Sequence, residues 1–387
     1  MNIEQIRKVA AHMVIMDVKF DNFYAFRNFH MNMAYPKKIL HSYIENEFLE
    51  GYPNFRYKKV NIIMGANASG KTSLGKMLMN IFNFLKKKEF SSITHAICNP
   101  ALSARFSIDF VASDGNRLCR VETSIAPRTG EEYQMSDITA SVKIADITQN
   151  DRYETCAQRL NRAKNIPAPN YLEELEKLPS LSWFFSYPQD FVGKIPWRIL
   201  SDSEIYLKIL ENILKALDPA ISGVTRFGDL DGVYAIHLLD DVAILQDGEL
   251  TNSELLSTGT KAGIDIAALL TSIIEGRNSF YYCDEKFSYI YSDIEKAILS
   301  VMIESLQEND QLFFTTHNAD LLDLPLPKHS FLFLRKNIAN KDCPIDCVSA
   351  SDWLKRSTDS VKAALDNDLF STAPATDLIY DILNIKS

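Results

Sequence analysis

The chain has 387 residues, 46% of them apolar, and a formal net charge of −9. It can bury one large core or two ordinary ones, and its acidic balance gives no general sign of nucleic-acid binding, although a local basic patch stays open. Six cysteines without framework spacing are typical of reduced thiols. With no signal segment and no run of about 18 apolar residues, we expect a soluble, cytoplasmic protein without a membrane partner.

The first third of the chain contains strand-like and helix-like patterns in alternation. β-branched or apolar runs bounded by polar residues predict strands, and apolar residues at a spacing of three and four predict a helix. The predicted elements are a strand at 14–20, an inserted loop with a short helix at 33–57, a buried parallel strand at 60–64, a helix at 72–88, and strands at 105–111 and 117–124.

The sequence pattern of the remaining residues changes twice. Charged helical stretches separated by prolines occupy 126–220, strands return at 222–247, and helices then alternate with strands to about residue 334. We therefore predict an α/β fold with these parts: the N-terminal half of the core at 13–125, an inserted, mostly helical lid at 126–220, the C-terminal half of the core at 221–345, and a helical tail at 346–387.

The strongest motif is GANASGKT, from Gly65 to Thr72, which matches the phosphate-binding loop G-x-x-x-x-G-K-[ST] between a predicted strand and a predicted helix. Glycines let the backbone wrap a phosphate, and the amides at the helix N-terminus attract its charge. Lys71 is predicted to reach the β- and γ-phosphates, and the Thr72 hydroxyl to bind Mg²⁺. A chance match in this context is a weak alternative.

Two later strands end in polar clusters. In SFYYCDEK (279–286), Asp284 is predicted to hold Mg²⁺ and Glu285 to activate the attacking water. In QLFFTTHNADLLD (311–323), His317 follows the strand and is predicted to contact the γ-phosphate. Ordinary strand termination and a structural histidine are the alternatives, and the phosphate-binding loop upstream favours the functional interpretation.

A second loop-to-helix junction, ELLSTGTKAGIDIAALL (254–270), can also bind an anion at its helix N-terminus. Taken alone, Ser257 would be a simple helix cap.

Taken in order, these motifs resemble the ABC-type ATPase head of SMC proteins, RecF and the overcoming-lysogenisation-defect (OLD) nucleases. GANASGKT resembles Walker A, LSTGT the signature, CDEKFSYIY Walker B with the D-loop, and FTTHNADLL the histidine switch. FDNFYAFRNFHM (20–31) and the closing segment 331–374 are also similar to this group, the latter to OLD-like ATPases of bacterial defence operons. The resemblance implies a mixed sheet flanked by helices, with the inserted lid and no long coiled coil.

The resemblance also implies ATP and Mg²⁺ as cofactors, and a head-to-tail dimer that clamps two ATP molecules, with a higher oligomer left open. Lys71, Glu285 and His317 are the implied catalytic residues, and Phe23, Phe26 and Arg27 either line the adenine side or are core residues. Tyr291 replaces the usual D-loop residue. The implied nucleotide-binding residues are Asn67, Ala68, Ser69, Gly70, Lys71, Thr72 and Ser73 of one subunit, and Ser257, Gly259 and Lys261 of the other.

Two functions remain open from the sequence. The first is a sensor or switch ATPase that controls a separate effector protein, a nuclease or toxin of the same operon, in anti-phage defence. The second is a DNA-binding repair ATPase similar to RecF or SMC. The candidate basic residues for that second function are Lys58, Lys59, Lys86, Lys87 and Lys88. A self-contained nuclease is disfavoured because the acids after His317 form no convincing metal cluster, and a transporter cassette is disfavoured by LSTGT.

Overall fold

The computed structural model describes residues 13–37, 42–112, 116–163, 168–187, 203–228, 230, 232–337, 339–356, 358–372 and 377–386. Its strands, in chain order, are β1 (Met13–Asp21), β2 (Phe29–Asn32), β3 (Phe48–Leu49), β4 (Tyr52–Arg56), β5 (Val60–Met64), β6 (Ala104–Ala112), β7 (Arg117–Ile125), β8 (Ile138–Asp146), β9 (Trp183–Ser186), β10 (Gly223–Arg226), β11 (Val233–His237), β12 (Val242–Gln246), β13 (Glu249–Leu250), β14 (Phe280–Asp284), β15 (Gln311–Thr315), β16 (Phe331–Lys336) and β17 (Ile345–Ser349).

The α-helices are α1 (Lys71–Lys87), α2 (Ser91–Thr94), α3 (Tyr153–Arg162), α4 (Tyr171–Leu175), α5 (Glu204–Leu217), α6 (Thr258–Ile274), α7 (Ser292–Ser305), α8 (Ala350–Trp353), α9 (Val361–Asp366) and α10 (Asp377–Tyr380). Short 3₁₀ turns follow several strands, including Ala319–Asp323 after β15. None of the helices in the described ranges is long and apolar enough to cross a membrane.

The central sheet has the order β17-β16-β5-β15-β14-β9. Five of these strands run parallel, and β17 pairs antiparallel with β16 at one edge. Every residue of β5, β14 and β15 is buried, as expected for parallel strands covered on both faces. Because parallel strands end at one edge, the residues that follow β5, β14 and β15 meet there.

Helix α1 packs between the central sheet and a second, antiparallel sheet of order β2-β1-β6-β7-β8. Leu74, Met77, Leu78, Ile81 and Leu85 of α1 are buried in one cluster with apolar residues of both sheets. The opposite face of the central sheet is covered by α5, α6 and α7 and by a third sheet, β10-β11-β12-β13.

The segment 126–220 is more than a helical lid. It supplies α3, α4 and α5, but its strand β8 extends the antiparallel sheet and β9 extends the central sheet. The sequence analysis missed both strands: β8 is an edge strand whose residues alternate weakly in burial, and β9 has only four residues.

Two smaller predictions were wrong within the described residues. Residues 42–57 contain the β3–β4 hairpin and no helix, whereas residues 38–41 of the predicted loop lie outside the described part. The segment predicted as a helical tail from 346 begins as strand β17, which pairs with β16 before the short helices α8 and α9. The domain boundaries themselves stay a prediction.

Candidate functional site

The phosphate-binding loop joins β5 to α1 and requires two small residues. Gly70, just before the helix, has φ +105°, a left-handed conformation that favours glycine. A Cβ on Gly65 would lie 2.5 Å from the Leu334 carbonyl oxygen and from Ser69 Oγ, so a larger residue would displace the loop from β16. The loop is therefore fixed in a shape that points the first amides of α1 outward, where an anion binds favourably.

Lys71, the first residue of α1, turns back over this loop. Its Nζ donates to the Gly65 carbonyl oxygen at 2.7 Å and the Ala66 carbonyl oxygen at 3.3 Å, and lies 3.3 Å from Glu285 Oε1. Burial lowers the pKa of Lys71, and the neighbouring Glu285 carboxylate opposes that shift. The structure thus brings the predicted lysine and the predicted base into contact.

The other loop residues predicted to bind phosphate differ in exposure. Asn67 and Ala68 are exposed at the tip, where Ala68 has φ +61°. Ser69 is buried, and its Oγ has no hydrogen-bond partner among the described residues. Thr72 and Ser73 are half-buried in the first turn of α1. An orphaned hydroxyl inside a loop of this shape is suited to a ligand oxygen.

Asp284 ends β14 beside the start of α1. Its Oδ1 accepts a hydrogen bond from Thr315 Oγ1 at 2.6 Å, whereas its Oδ2 is buried without a partner in the described structure. Burial raises the pKa of Asp284, and the hydroxyls of Thr315 and Thr72 oppose that rise. A carboxylate with a free oxygen beside a threonine hydroxyl fits Mg²⁺, which takes few protein ligands and completes its shell with phosphate and water.

Glu285 follows directly and has φ +44°, a conformation that residues other than glycine rarely adopt. Its amide donates to Thr315 Oγ1 at 3.0 Å, and its Oε1 lies 2.9 Å from His317 Nε2 as well as 3.3 Å from Lys71 Nζ. The hydrogen bond from His317 lowers the pKa of Glu285 most, and Lys71 adds to this effect against the opposing effect of burial. The carboxyl group is therefore held as the anion that a general base must be.

His317 lies on a loop that α7 holds in place. The buried Glu295 carboxylate accepts hydrogen bonds from Thr316 Oγ1 at 2.9 Å and Asn318 Nδ2 at 2.7 Å, on either side of the histidine. The Thr316 amide also donates to the carbonyl oxygen of Ile63 in β5. The ring itself remains partly exposed, at 40%, and so can meet a ligand.

The predicted signature residues lie at the start of α6. Ser257 caps α6: its Oγ accepts a hydrogen bond from the Thr260 amide at 3.1 Å. A Cβ on Gly259 would lie 2.6 Å from the Tyr289 carbonyl oxygen, so the glycine allows the D-loop to rest on this turn. Within the described residues, no hydrogen bond or ion pair joins Ser257, Gly259 or Lys261 to the phosphate-binding loop of the same chain. Ser257 is exposed and accessible to a second molecule.

The aromatic residues Phe23 and Phe26 are core residues. Both are fully buried, and the Phe26 ring packs on Phe20 and Phe29. The same ring would lie 3.1 Å from a Cβ placed on Gly70, so it packs against the phosphate-binding loop. Of the three residues considered for the adenine side, Arg27 alone is partly exposed.

The candidate basic residues do not form one patch. Lys58 and Lys59 are buried, and their Nζ atoms donate to the carbonyl oxygens of Asn32 and Glu45, each at 3.0 Å. Burial lowers the pKa of both. Lys86 lies over the Trp183 ring and Lys88 pairs with Glu176. Two of the five lysines are therefore structural and cannot contact a nucleic acid from the surface.

Sequence reasoning missed several residues that position the site. Thr315 joins Asp284 to the Glu285 amide, Glu295 fixes the His317 loop, and Tyr282 donates from its hydroxyl to the Lys71 carbonyl oxygen at 2.9 Å. Their roles depend on which strands are neighbours in the sheet. A tyrosine in an apolar strand gave no signal that its hydroxyl would reach the phosphate-binding helix.

The sequence matches no family model and no curated protein. Solved structures do match. An SMC head bound to the C-winged helix domain of ScpA aligns over 88% of this chain and 99% of that chain, at 15% identity and a TM-score of 0.51. An SMC head domain with an extended coiled coil, bound to the C-terminal domain of ScpA derived from Pyrococcus furiosus, aligns over 89% and 98%, at 13% identity and a TM-score of 0.52.

The chain has the fold of an SMC head domain. The sequence resemblance predicted a fold of this kind. At such low identity the likeness extends to the fold, and the chemistry must be argued from the residues themselves.

Proposed function

We propose that this protein is an ABC-type ATPase that binds ATP with Mg²⁺, dimerises head to tail and hydrolyses ATP. The observation that carries the proposal is the convergence of Lys71, Glu285 and His317 at one edge of the central sheet. A single oxygen, Glu285 Oε1, lies 3.3 Å from the lysine nitrogen and 2.9 Å from the histidine nitrogen. A cation, a charged base and a partly exposed histidine around a phosphate-binding loop support phosphoryl transfer to water.

In this proposal the amides of the loop and Lys71 bind the phosphates. In the structure Lys71 pairs with Glu285 and donates hydrogen bonds to two backbone carbonyls, and it would exchange these partners for the β- and γ-phosphate oxygens. Thr72 and Asp284 would hold the Mg²⁺ ion that neutralises charge on those phosphates.

Once Lys71 has moved to phosphate, Glu285 is free to orient a water molecule and accept its proton. His317, whose Nε2 now bonds to Glu285, would turn to the γ-phosphate and report its presence. The bond between the two residues couples them, so that binding of phosphate by the histidine releases the base.

The dimer follows from the position of the signature. Ser257 and Gly259 are on a turn that forms no hydrogen bond or ion pair with its own phosphate-binding loop among the described residues, so we infer that one chain holds two separate half-sites. A two-fold pair would place each Ser257 turn over the partner's Lys71 loop, and the helix N-terminus of α6 would attract the γ-phosphate.

The wider role is proposed from the resemblance of segment 331–374 to OLD-like ATPases. In this wider role, ATP closes the dimer, and either hydrolysis or a trigger releases a separate effector protein of the same operon in anti-phage defence. A DNA-associated ATPase similar to SMC or RecF is the second candidate, favoured by the fold. The burial of Lys58 and Lys59 counts against the basic face first considered for it. Salt-dependent binding of duplex DNA to the purified protein separates the two functions.

The direct test of ATPase function uses Lys71→Ala and Glu285→Gln. Lys71→Ala should weaken ATP binding by about a hundredfold or more, because a buried charge-assisted contact to phosphate is lost. Glu285→Gln should keep ATP binding, slow hydrolysis by roughly 10²–10⁴-fold and accumulate a dimer with ATP.

Calorimetry measures ATP binding, phosphate release measures hydrolysis, and light scattering measures the dimer. Lys87→Ala, an exposed lysine at the other end of the same helix, is the matched control and should behave as wild type. Undiminished ATP binding by Lys71→Ala, or wild-type turnover by Glu285→Gln, would contradict the proposed function.

A further inference from the structure

The residue after the proposed base carries a buried charge that the chemistry above does not use. Lys286 is 4% exposed, and its Nζ forms an ion pair with Asp265 of α6 and donates to the Tyr187 carbonyl oxygen at 2.7 Å. Burying an ammonium group is costly unless it is paired and hydrogen-bonded, so these contacts hold Lys286 firmly.

Both partners of Lys286 belong to other elements. Asp265 lies on the signature helix α6, about two turns after Ser257. Tyr187 follows β9, the strand next to β14 in the central sheet. The ion pair is thus a direct polar link between the end of β14 and the helix that carries the signature.

The strained backbone of Glu285 must be held in place by contacts of the residues before and after it. Its φ of +44° is unfavourable for this residue type and persists only where the surroundings impose it. On one side the Asp284 carboxylate and the Glu285 amide are bonded to Thr315. On the other side the fixed point is Lys286. A shift of α6 along its axis would pull on Lys286 and change the direction of the Glu285 side chain.

We propose that Lys286 and Asp265 are positioning residues that couple the signature helix to the proposed base. The inference rests on the proposed function. When the signature turn of α6 binds the partner's nucleotide, the resulting movement of α6 reaches Glu285 through this ion pair, and hydrolysis becomes dependent on dimer closure.

The test uses Lys286→Met, Asp265→Asn and the double variant in the full chain. Each single variant should lower kcat roughly two- to thirtyfold while leaving the Kd for ATP within about twofold of wild type. Because both residues act through one contact, the double variant should be no slower than the slower single variant. Asp265 is partly exposed, so Asp265→Asn keeps the test informative if Lys286→Met folds poorly.

The control is Arg120→Met, which removes a buried ion pair to Asp109 in the antiparallel sheet, away from the site. It should lower the melting temperature without changing kcat. Unchanged kcat in both single variants, or losses that multiply in the double variant, would overturn the inference. If wild type neither hydrolyses ATP nor dimerises with it, the proposed function fails instead, and the two failures are distinguishable.

Discussion

Three side chains of the proposed active site meet at the Glu285 carboxylate. Lys71 and His317 contact the same oxygen, and both lower its pKa. These contacts keep the proposed base ionised, but Lys71 and His317 occupy its Oε1. We infer that the ligand-free site is held inactive by its own contacts, since a carboxylate paired with a cation is a poor acceptor for a proton from water.

His317→Ala tests the role of the histidine contact. Loss of a phosphate contact should lower kcat by about a hundredfold with little change in ATP binding. Because His317 contributes most to the lowered pKa of Glu285, its removal should raise that pKa. The residual activity should then be lost at higher pH on the acid side than in wild type.

The measurement is the pH dependence of kcat/KM for both proteins, because this ratio reports the pKa values of the ligand-free enzyme, in which His317 contacts Glu285. His95→Ala, an exposed histidine that follows α2, should keep the wild-type profile. An acid limb that does not move, with kcat unchanged, would show that His317 is structural.

At the scale of elements, the contact between α1 and β14 sets the position of the phosphate-binding loop. A Cβ on Gly75 would lie 2.5 Å from the Tyr282 ring, and the Tyr282 hydroxyl bonds to the Lys71 carbonyl oxygen. That ring is fully buried and stacked against Phe185 and Phe313, so it has little room to move. The helix can therefore approach the sheet only with glycine at this position.

Gly75→Ala should destabilise the fold. Alanine would add up to about 1 kcal/mol of helix propensity, but overpacking against a fixed ring costs about 1–3 kcal/mol and should prevail. Denaturant unfolding measures the change in the free energy of unfolding. Gly130→Ala, where a Cβ would meet nothing within 4 Å, is the control. Equal or greater stability of Gly75→Ala would disprove the tight contact.

The turn before β15 predicts a dependence of stability on pH. Burial raises the pKa of Asp310 to about 7, against an ordinary value of 3.8. Between about pH 4 and 7 the folded state therefore keeps a proton that the unfolded state has lost, and the free energy of unfolding falls as the pH rises. Asp310→Asn removes this contribution.

The melting temperature of Asp310→Asn relative to wild type should therefore increase from pH 4 to pH 8. Asp240→Asn, at an exposed position before β12, should show a constant difference. A constant difference for Asp310→Asn as well would mean that this carboxyl group does not titrate differently in the two states.

The sequence allowed prediction of those elements whose pattern is strong and local. The mostly apolar run of β5 and the apolar spacing of α1 gave bounds within one residue of those observed. The strand β9 was missed because it has only four residues and pairs with β14, which lies far away in the chain. The edge strand β8 was missed because its residues alternate only weakly in burial. Lys71, Glu285 and His317 were found through motifs, whereas Lys286 and Glu295 have roles that only the three-dimensional contacts show.

At the scale of the whole molecule, the described part of the chain carries a cluster of proposed catalytic residues and a proposed signature turn. The first combines residues after β5, β14 and β15, and the second begins α6. In the proposed ATPase these half-sites meet between two copies, so a composite site takes Glu285 from one subunit and Ser257 from the other.

Mixing two inactive variants tests this requirement most directly. Glu285→Gln and Ser257→Arg should each abolish nearly all hydrolysis as separate homodimers. In a mixed dimer both defects fall in one composite site and the other site is intact, so an equal mixture should recover about a quarter of wild-type turnover. Mixtures that stay as inactive as their components, or a Ser257→Arg protein that hydrolyses ATP at the wild-type rate, would contradict the account.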